Sequence, residues 1–384
     1  MTILATGLDR FIEQPPAEAK GARLGLLTNP SGIDRRLRST VNRLAQHPAI
    51  TVTALYGPEH GVRGEAQAGE HVGGGLDIIS GLPIHSLYGA TQMPSAAMLQ
   101  AIDMMVIDLQ DIGARFTTYI STVANVIGAC AATGKGVVIL DRPNPLTGSR
   151  LAGNLLDPDY SSFVGIHPIP ILHGLTIGEF GRLWARDHHL PLPTVVSMEG
   201  WRREMWFNET GLPWVPPSPN LPTLESTTIY PGTCLVEGTN LSEGRGTTRP
   251  FEMIGAPWID PEMLADALHD LGMPGVSFRP VYFTPVFSKH AGLRCGGIQV
   301  YINDRDAFDA VAFGPMLLET VAQLYPDDFA WLAPEDGSYF IDKLAGGSQL
   351  RNAINAGTPM CDVLSQWSRD AAAFETNRSD ILLY

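Results

Sequence analysis

Cysteine is scarce and scattered in this chain: Cys130, Cys234, Cys295 and Cys361 are its only four, and no two form a Cys-x-x-Cys pair. In a chain of 384 residues that spacing favours buried free thiols over a disulfide framework or a zinc grid. No run of 18 apolar residues is present, which argues against a membrane span. Positive charge is also short, with 26 Lys and Arg against 40 Asp and Glu for a formal net charge of −14. A phosphate backbone rewards the opposite balance, so nucleic acid is not an expected partner. A few local arginines can still hold an anionic substrate.

Several signatures are missing as well. Gly73-Gly74-Gly75 is followed by neither Gly-Lys-Ser/Thr nor a spaced Gly-x-Gly-x-x-Gly, so no phosphate loop and no nucleotide cofactor are expected. His60, His71, His85, His167, His173 and His290 are numerous, yet no His-x-x-x-His falls on a helix and no Cys/His grid forms, so no metal site is expected. His188-His189, at the end of an expected helix, reads as a solvated pair. Residues 1–10 have neither a basic n-region nor a long apolar stretch, so no signal peptide is visible. The expected compartment is the cytoplasm, or the periplasm or exterior for a processed chain.

What is present is a folded composition, 44% hydrophobic and 17% charged, with 40 Gly and 30 Pro spread along the chain as in a protein with many shaped loops. The length suggests more than one domain. The organising stretch is 50–64. Ile50, Val52, Ala54 and Leu55 read as a buried strand that stops at Gly57-Pro58-Glu59-His60-Gly61, so a carboxylate and an imidazole are delivered to a strand tip. In open α/β sheets, ligands bind at that edge.

The pattern repeats. Residues 104–109 form an apolar run carrying Asp108 and followed by Asp111, and 137–140 run into Asp141-Arg142-Pro143-Asn144-Pro145. Strands are also expected at 23–30, 82–87, 168–172 and 194–198, with helices at 39–47, 94–102, 118–132 and 176–188, the last opened by a Thr176/Glu179 capping box. Alternating apolar strands and helices predict an α/β fold: a Rossmann-like parallel sheet covered on both faces, with Glu59, Asp108, Asp111 and Asp141 on one edge. An unpaired Asp108 would be costly inside an apolar run, and Arg115 is its expected partner.

The proline-rich stretch 214–222 reads as a crossing between domains. Beyond it, helices at 261–271 and 307–324 and strands at 276–283 and 297–302 predict a smaller α+β domain. The expected boundaries are 1–212 and 213–384. Residues 237–249, with Glu237, Asn240, Glu243, Arg245 and Arg249 among glycines, have neither helical nor strand periodicity and read as a binding loop. From the residues alone, an enzyme using the strand-tip acids and a binding protein using the same loop both stay open, and metal binding by the histidines is a minority reading.

The set Gly57-Pro58-Glu59-His60-Gly61, Asp108 through Phe116, Leu140 through Pro145, Pro217-Ser218-Pro219-Asn220 and Glu237 through Pro250 resembles the exo-β-N-acetylmuramidases of glycoside hydrolase family 171, over nearly the whole chain. The resemblance implies a Rossmann-like domain, a second subdomain and an active site in the cleft between them. It further implies release of N-acetylmuramic acid from the non-reducing end of peptidoglycan fragments, with the family's proposed catalytic glutamate at Glu59; as general acid/base, Glu59 has the adjacent His60 placed to tune or orient it. One departure is Thr117, where the family commonly has Tyr; Tyr119 is the candidate replacement. The remaining sugar-binding candidates are Asp108, Asp111, Arg115, Asp141, Asn144, Asn220, Glu237, Asn240, Glu243, Arg245 and Arg249. No oligomeric state is implied.

Overall fold

The apolar runs that lead into Glu59, Asp108 and Asp141 are parallel strands of one sheet. A computed structural model describes residues 4–64, 74–333 and 337–384. In it β1 (Arg23–Thr28), β2 (Thr51–Gly57), β3 (Gly75–Leu76), β4 (Pro83–Ser86), β5 (Met104–Asp108), β6 (Gly136–Leu140) and β7 (Thr194–Val196) are ordered β3-β4-β2-β1-β5-β6-β7. Only β3, paired with β4, runs antiparallel. His71 and Gly73, weighed above for metal and phosphate binding, lie outside the described residues.

Because side chains alternate along a strand, each central strand feeds two cores. Leu27, Ala54, Tyr56, Met105, Ile107 and Ile139 pack on one face with α3 (Thr118–Ala132) and α4 (Ile177–Asp187). Leu24, Leu26, Leu55, Val106, Val138 and Leu140 pack on the other with α1 (Gly7–Glu13) and α2 (Thr40–Ala45). The α4 capping box forms as expected, with Thr176 accepting from the Glu179 amide and Glu179 from the Thr176 amide. A second capping box, Thr6 with Asp9, opens α1, a helix the sequence reading did not anticipate. Two expectations are corrected. Residues 94–102 hold only a 3-10 turn, Met98–Ala101, and 168–172 only isolated bridges of Leu172 to Ala114 and Ala152.

The remainder is α+β. Strands β8 (Met253–Ala256), β9 (Val276–Phe283) and β10 (Cys295–Ile302) form an antiparallel sheet in the order β8-β10-β9. Around it lie α5 (Leu224–Thr233), α6 (Pro261–Asp270), α7 (Ala310–Leu324), α8 (Phe340–Ala345), α9 (Gln349–Ala356) and α10 (Met360–Asn377). One hydrophobic cluster joins this part to Ile112, Ala114, Phe116 and Leu172, so the two layers share a core. Cys130, Cys234 and Cys295 are buried free thiols, and Cys361 is exposed. Among the described residues, no helix is long and apolar enough to cross a membrane.

The chain end folds back onto the sheet. Phe374 and Ile381 enter the core beneath α3 and α4, and the Tyr384 hydroxyl donates to Asp141 at 2.7 Å. Asp141 also accepts from Thr176 Oγ1 and the Gly178 amide, each at 2.8 Å. Its full burial, reinforced by the nearby Glu179 charge, raises its pKa to about 7. A carboxyl raised in the folded state binds its proton more tightly there than in the unfolded chain, so its contribution is fully present below about pH 4 and is lost as pH rises toward 7. Asp141→Asn, which cannot titrate, is therefore expected to flatten the fall in thermal midpoint between pH 4 and 7. An unchanged slope in a pH series of melts would remove Asp141 as its source.

Candidate active site

Glu59 reaches a cavity of about 800 Å3 because β2 stops at Gly57 and the chain turns, with the Gly61 amide bonding back to Pro58 O at 3.0 Å. His60 completes the turn with φ 70°, a left-handed conformation that is strained for a residue with a Cβ. Phe251 and Ser288, which also line the cavity, have φ values of 64° and 69°. Such strain persists only where the surrounding structure enforces it, and it gathers at functional sites. Thr118, the first residue of α3, donates its hydroxyl to Glu59 Oε2 at 2.7 Å and orients the carboxylate.

The second half of the site comes from the glycine-rich loop. Gly244 and Gly246 both have positive φ, and a Cβ on either would strike backbone, Met253 O at 2.5 Å or Phe287 O at 2.6 Å. Only glycine lets the chain turn on both sides of Arg245 while the β9–β10 loop lies against it. Arg245 Nη2 donates to Glu237 Oε1 at 2.6 Å, Nε lies 3.3 Å from Glu243 Oε1, and the guanidinium rests over the Phe251 ring at 5.1 Å. Lys289 Nζ is 2.9 Å from Glu243 Oε2, an ion pair outside hydrogen-bond alignment, and donates to Val236 O and Thr239 O.

Two carboxylates and two cations therefore balance. Burial pushes the Glu237 carboxyl up, with Arg245 opposing and Glu243 adding to the rise. Burial also works against the Arg245 charge, but Glu237 and Glu243 outweigh it and raise its pKa. Tyr88 sits between the two halves: burial raises its phenol, Glu59 adds to the rise through charge and a hydrogen bond, and Arg245 and Glu237 act on it in turn. Two buried donors in the lining have no partner among the described residues, Arg245 Nη1 and the amide nitrogen of Asn220, a residue only 5% exposed. Unpaired buried donors are costly unless something binds them.

Of the expected site residues, Glu59, His60, Tyr119, Asn220, Glu237, Glu243 and Arg245 line the cavity. The others lie outside that lining. Asp108 is paired not with Arg115 but with Arg142, at 2.5 Å and 2.9 Å. Arg115 instead donates to the carbonyls of Asn154, Ile169, Leu344 and Ala345, clamping the end of α8. Asp111 accepts from the Gly113 amide, Asn144 bonds Leu175 O and the Leu146 amide, and Asp141 holds the chain end. Asn240 bridges Asp328 O and the Ala330 amide, and the half-exposed Arg249 pairs with the buried Glu252 at 3.3 Å.

Sequence reasoning missed Tyr88, Thr118, Phe287 and Lys289. Lys289 had a faint signal, being one of only four lysines with Lys20, Lys135 and Lys343. Thr117 and Tyr119 both reach the cavity, and the Tyr119 hydroxyl donates to Pro217 O. Among the described residues, no group of three or more His, Cys, Asp or Glu side chains is placed to hold a metal ion.

A family model described as Exo-beta-N-acetylmuramidase NamZ, N-terminal, matches residues 24–225, and its C-terminal counterpart matches 228–384. The Peptidoglycan beta-N-acetylmuramidase NamZ of Bacillus subtilis (strain 168) is 47% identical over 380 residues, 99% of this chain and 91% of that protein. Among solved structures, a DUF1343 family protein from Bacteroides fragilis NCTC 9343 superposes with a TM-score of 0.91 at 37% identity, covering 100% of both chains. A second from the same organism superposes with a TM-score of 0.75 at 27% identity, covering 99% of each.

Proposed function

The chain belongs to the exo-beta-N-acetylmuramidase NamZ family, and from that premise we propose that it is a glycosidase releasing terminal N-acetylmuramic acid from the non-reducing end of peptidoglycan fragments. One observation carries the reading to specific residues. Glu59, oriented by Thr118, opens onto the same cavity as the Glu237–Arg245–Glu243–Lys289 cluster, with Tyr88 between them. Breaking a glycosidic bond needs a proton for the leaving oxygen and stabilisation of an oxocarbenium-like centre. Glu59 supplies the proton as general acid and later takes one from water. Glu237, Glu243 or the acetamido group of the substrate stabilises the cationic centre.

Muramic acid differs from N-acetylglucosamine by a lactyl ether ending in a carboxylate. In a cluster whose charges already cancel, that anion needs a donor not otherwise engaged. Lys289 is committed to carbonyls and Glu243, whereas Arg245 Nη1 has no partner among the described residues. Arg245 therefore reads the lactyl group, and Arg249, outside the cavity lining, does not. Arg245→Ala is expected to narrow the preference for muramyl over N-acetylglucosaminyl substrates by roughly 1.5–3 kcal/mol, the range for a hydrogen bond to a charged group. Comparing kcat/KM on the two sugars cancels any shared damage to the loop, and Arg249→Ala should leave the ratio unchanged. Equal losses on both sugars in Arg245→Ala would assign it to loop support.

The direct test is incubation with N-acetylmuramic acid β-1,4-linked to N-acetylglucosamine. Release of both monosaccharides is the expected result. A disaccharide that binds in the cavity and stays intact would point to a fragment receptor instead.

A further inference from the structure

Phe287 stands at the cavity rim with 43% of its surface exposed, beside Val286 at 80%, and Leu332 lines the same rim at 36%. Leaving apolar side chains in water forgoes the burial that folding usually rewards. Here looseness of the loop does not explain it. The Val286 amide donates to Gly246 O at 2.9 Å just before the ring, and Lys289 is fastened by Val236 O, Thr239 O and Glu243 just after it. The Gly292 amide closes the loop on Pro285 O at 2.8 Å, and Leu332 is held through its amide on Gly238 O at 3.0 Å. Ser288 and His290 accept left-handed φ of 69° and 57° on either side of Lys289. The fold thus spends strain and hydrogen bonds to keep an aromatic ring in solvent at the mouth.

The cavity grades from inside to outside. Its floor is made of buried Phe116, Tyr119, Leu221, Glu243 and Phe251, whereas Phe287 and Leu332 face water. A sugar whose charged substituent engages Arg245, on the cavity wall, sits inside, and the sugar it is bonded to must extend toward the mouth. The apolar CH face of a pyranose ring stacks on an aromatic ring and withdraws both from water.

We propose that Phe287 is the stacking platform for the saccharide ring on the leaving-group side of the scissile bond, and so sets the preference for a saccharide leaving group. This rests on the glycosidase reading above. Phe287 takes no part in proton transfer; it positions the glycosidic oxygen for the group that does.

The test compares two substrates that share the glycone: the muramyl-N-acetylglucosamine disaccharide, and N-acetylmuramyl fluoride, whose leaving group is a single atom. Phe287→Ala should lower kcat/KM on the disaccharide about tenfold, the scale of one aromatic contact, and change the fluoride by less than about twofold. Phe287→Tyr, which keeps the ring, should restore disaccharide turnover. Equal losses on both substrates, or a disaccharide rate unaffected by Phe287→Ala, would overturn the platform. Wild-type protein that turns over neither substrate would overturn the hydrolase reading itself, a result distinguishable from either of the others.

Discussion

Glu59→Gln should fold as the wild type does and lose hydrolysis of an unactivated disaccharide by about 10²-fold or more, the contribution typical of a positioned general acid. The amide keeps the size of the carboxyl and can still accept from Thr118, so the turn at the β2 tip has no reason to change. What it lacks is a proton to give to the leaving oxygen. A leaving group that departs without protonation makes a sharp control, because fluoride should be released from N-acetylmuramyl fluoride with a much smaller loss. Near-wild-type cleavage of the disaccharide by Glu59→Gln would remove Glu59 from that role. Equal, large losses on both substrates would instead point to a nucleophile or to a binding defect.

Asp108→Ala is expected to cost roughly 3–5 kcal/mol of stability, the scale for leaving one member of a buried ion pair uncompensated. Arg142 Nε and Nη2 reach the two Asp108 oxygens at 2.5 Å and 2.9 Å, with the Arg142 side chain 5% exposed and that of Asp108 fully buried. Thr40 donates its hydroxyl to the same carboxylate, so this one group ties β5 to the segment after β6 and to α2. Without it, the Arg142 guanidinium keeps, among the described residues, only the Ile33 carbonyl at 2.9 Å. Asp108→Ala combined with Arg142→Met removes both charges and should recover much of the loss. Denaturant midpoints of the two variants decide the matter: a double mutant as unstable as the single would show that the Thr40 contact or packing carries the cost.

The Glu59 and Asp108 predictions concern two acids that look alike in sequence, each at or just past the end of an apolar run. Strand, turn and acid were legible because local chemistry specifies them. Apolar runs closed by turn residues gave β2, β5 and β6, Gly57-Pro58 ends β2, and the Thr176/Glu179 pair caps α4. Expected helix 118–132 and expected strand 276–283 coincide with α3 and β9, since each is long, periodic and bounded by turn residues. The 94–102 segment has helical apolar spacing, yet only Met98–Ala101 winds, as a 3-10 turn without a side-chain cap at its start.

Which of these acids opens onto the cavity was not legible from the residues alone. All of these strand ends share one edge of the sheet, but whether a carboxylate there is solvated or sealed depends on what covers it. Arg142 seals Asp108, and Tyr384, 243 residues away in sequence, closes over Asp141. Glu59 alone among Glu59, Asp108 and Asp141 opens onto the cavity, because the covering layer there leaves about 800 Å3 of space. Lys289 and Phe287 were invisible for the same reason. Their contribution comes from the β9–β10 loop lying on Gly246, a long-range contact that no local pattern encodes. Sequence by itself determined the elements and the tip that carries Glu59, because these follow from periodicity and backbone chemistry. Tertiary structure decided which charges are neutralised and which face the cavity, because charge pairing and burial depend on neighbours brought together only by folding.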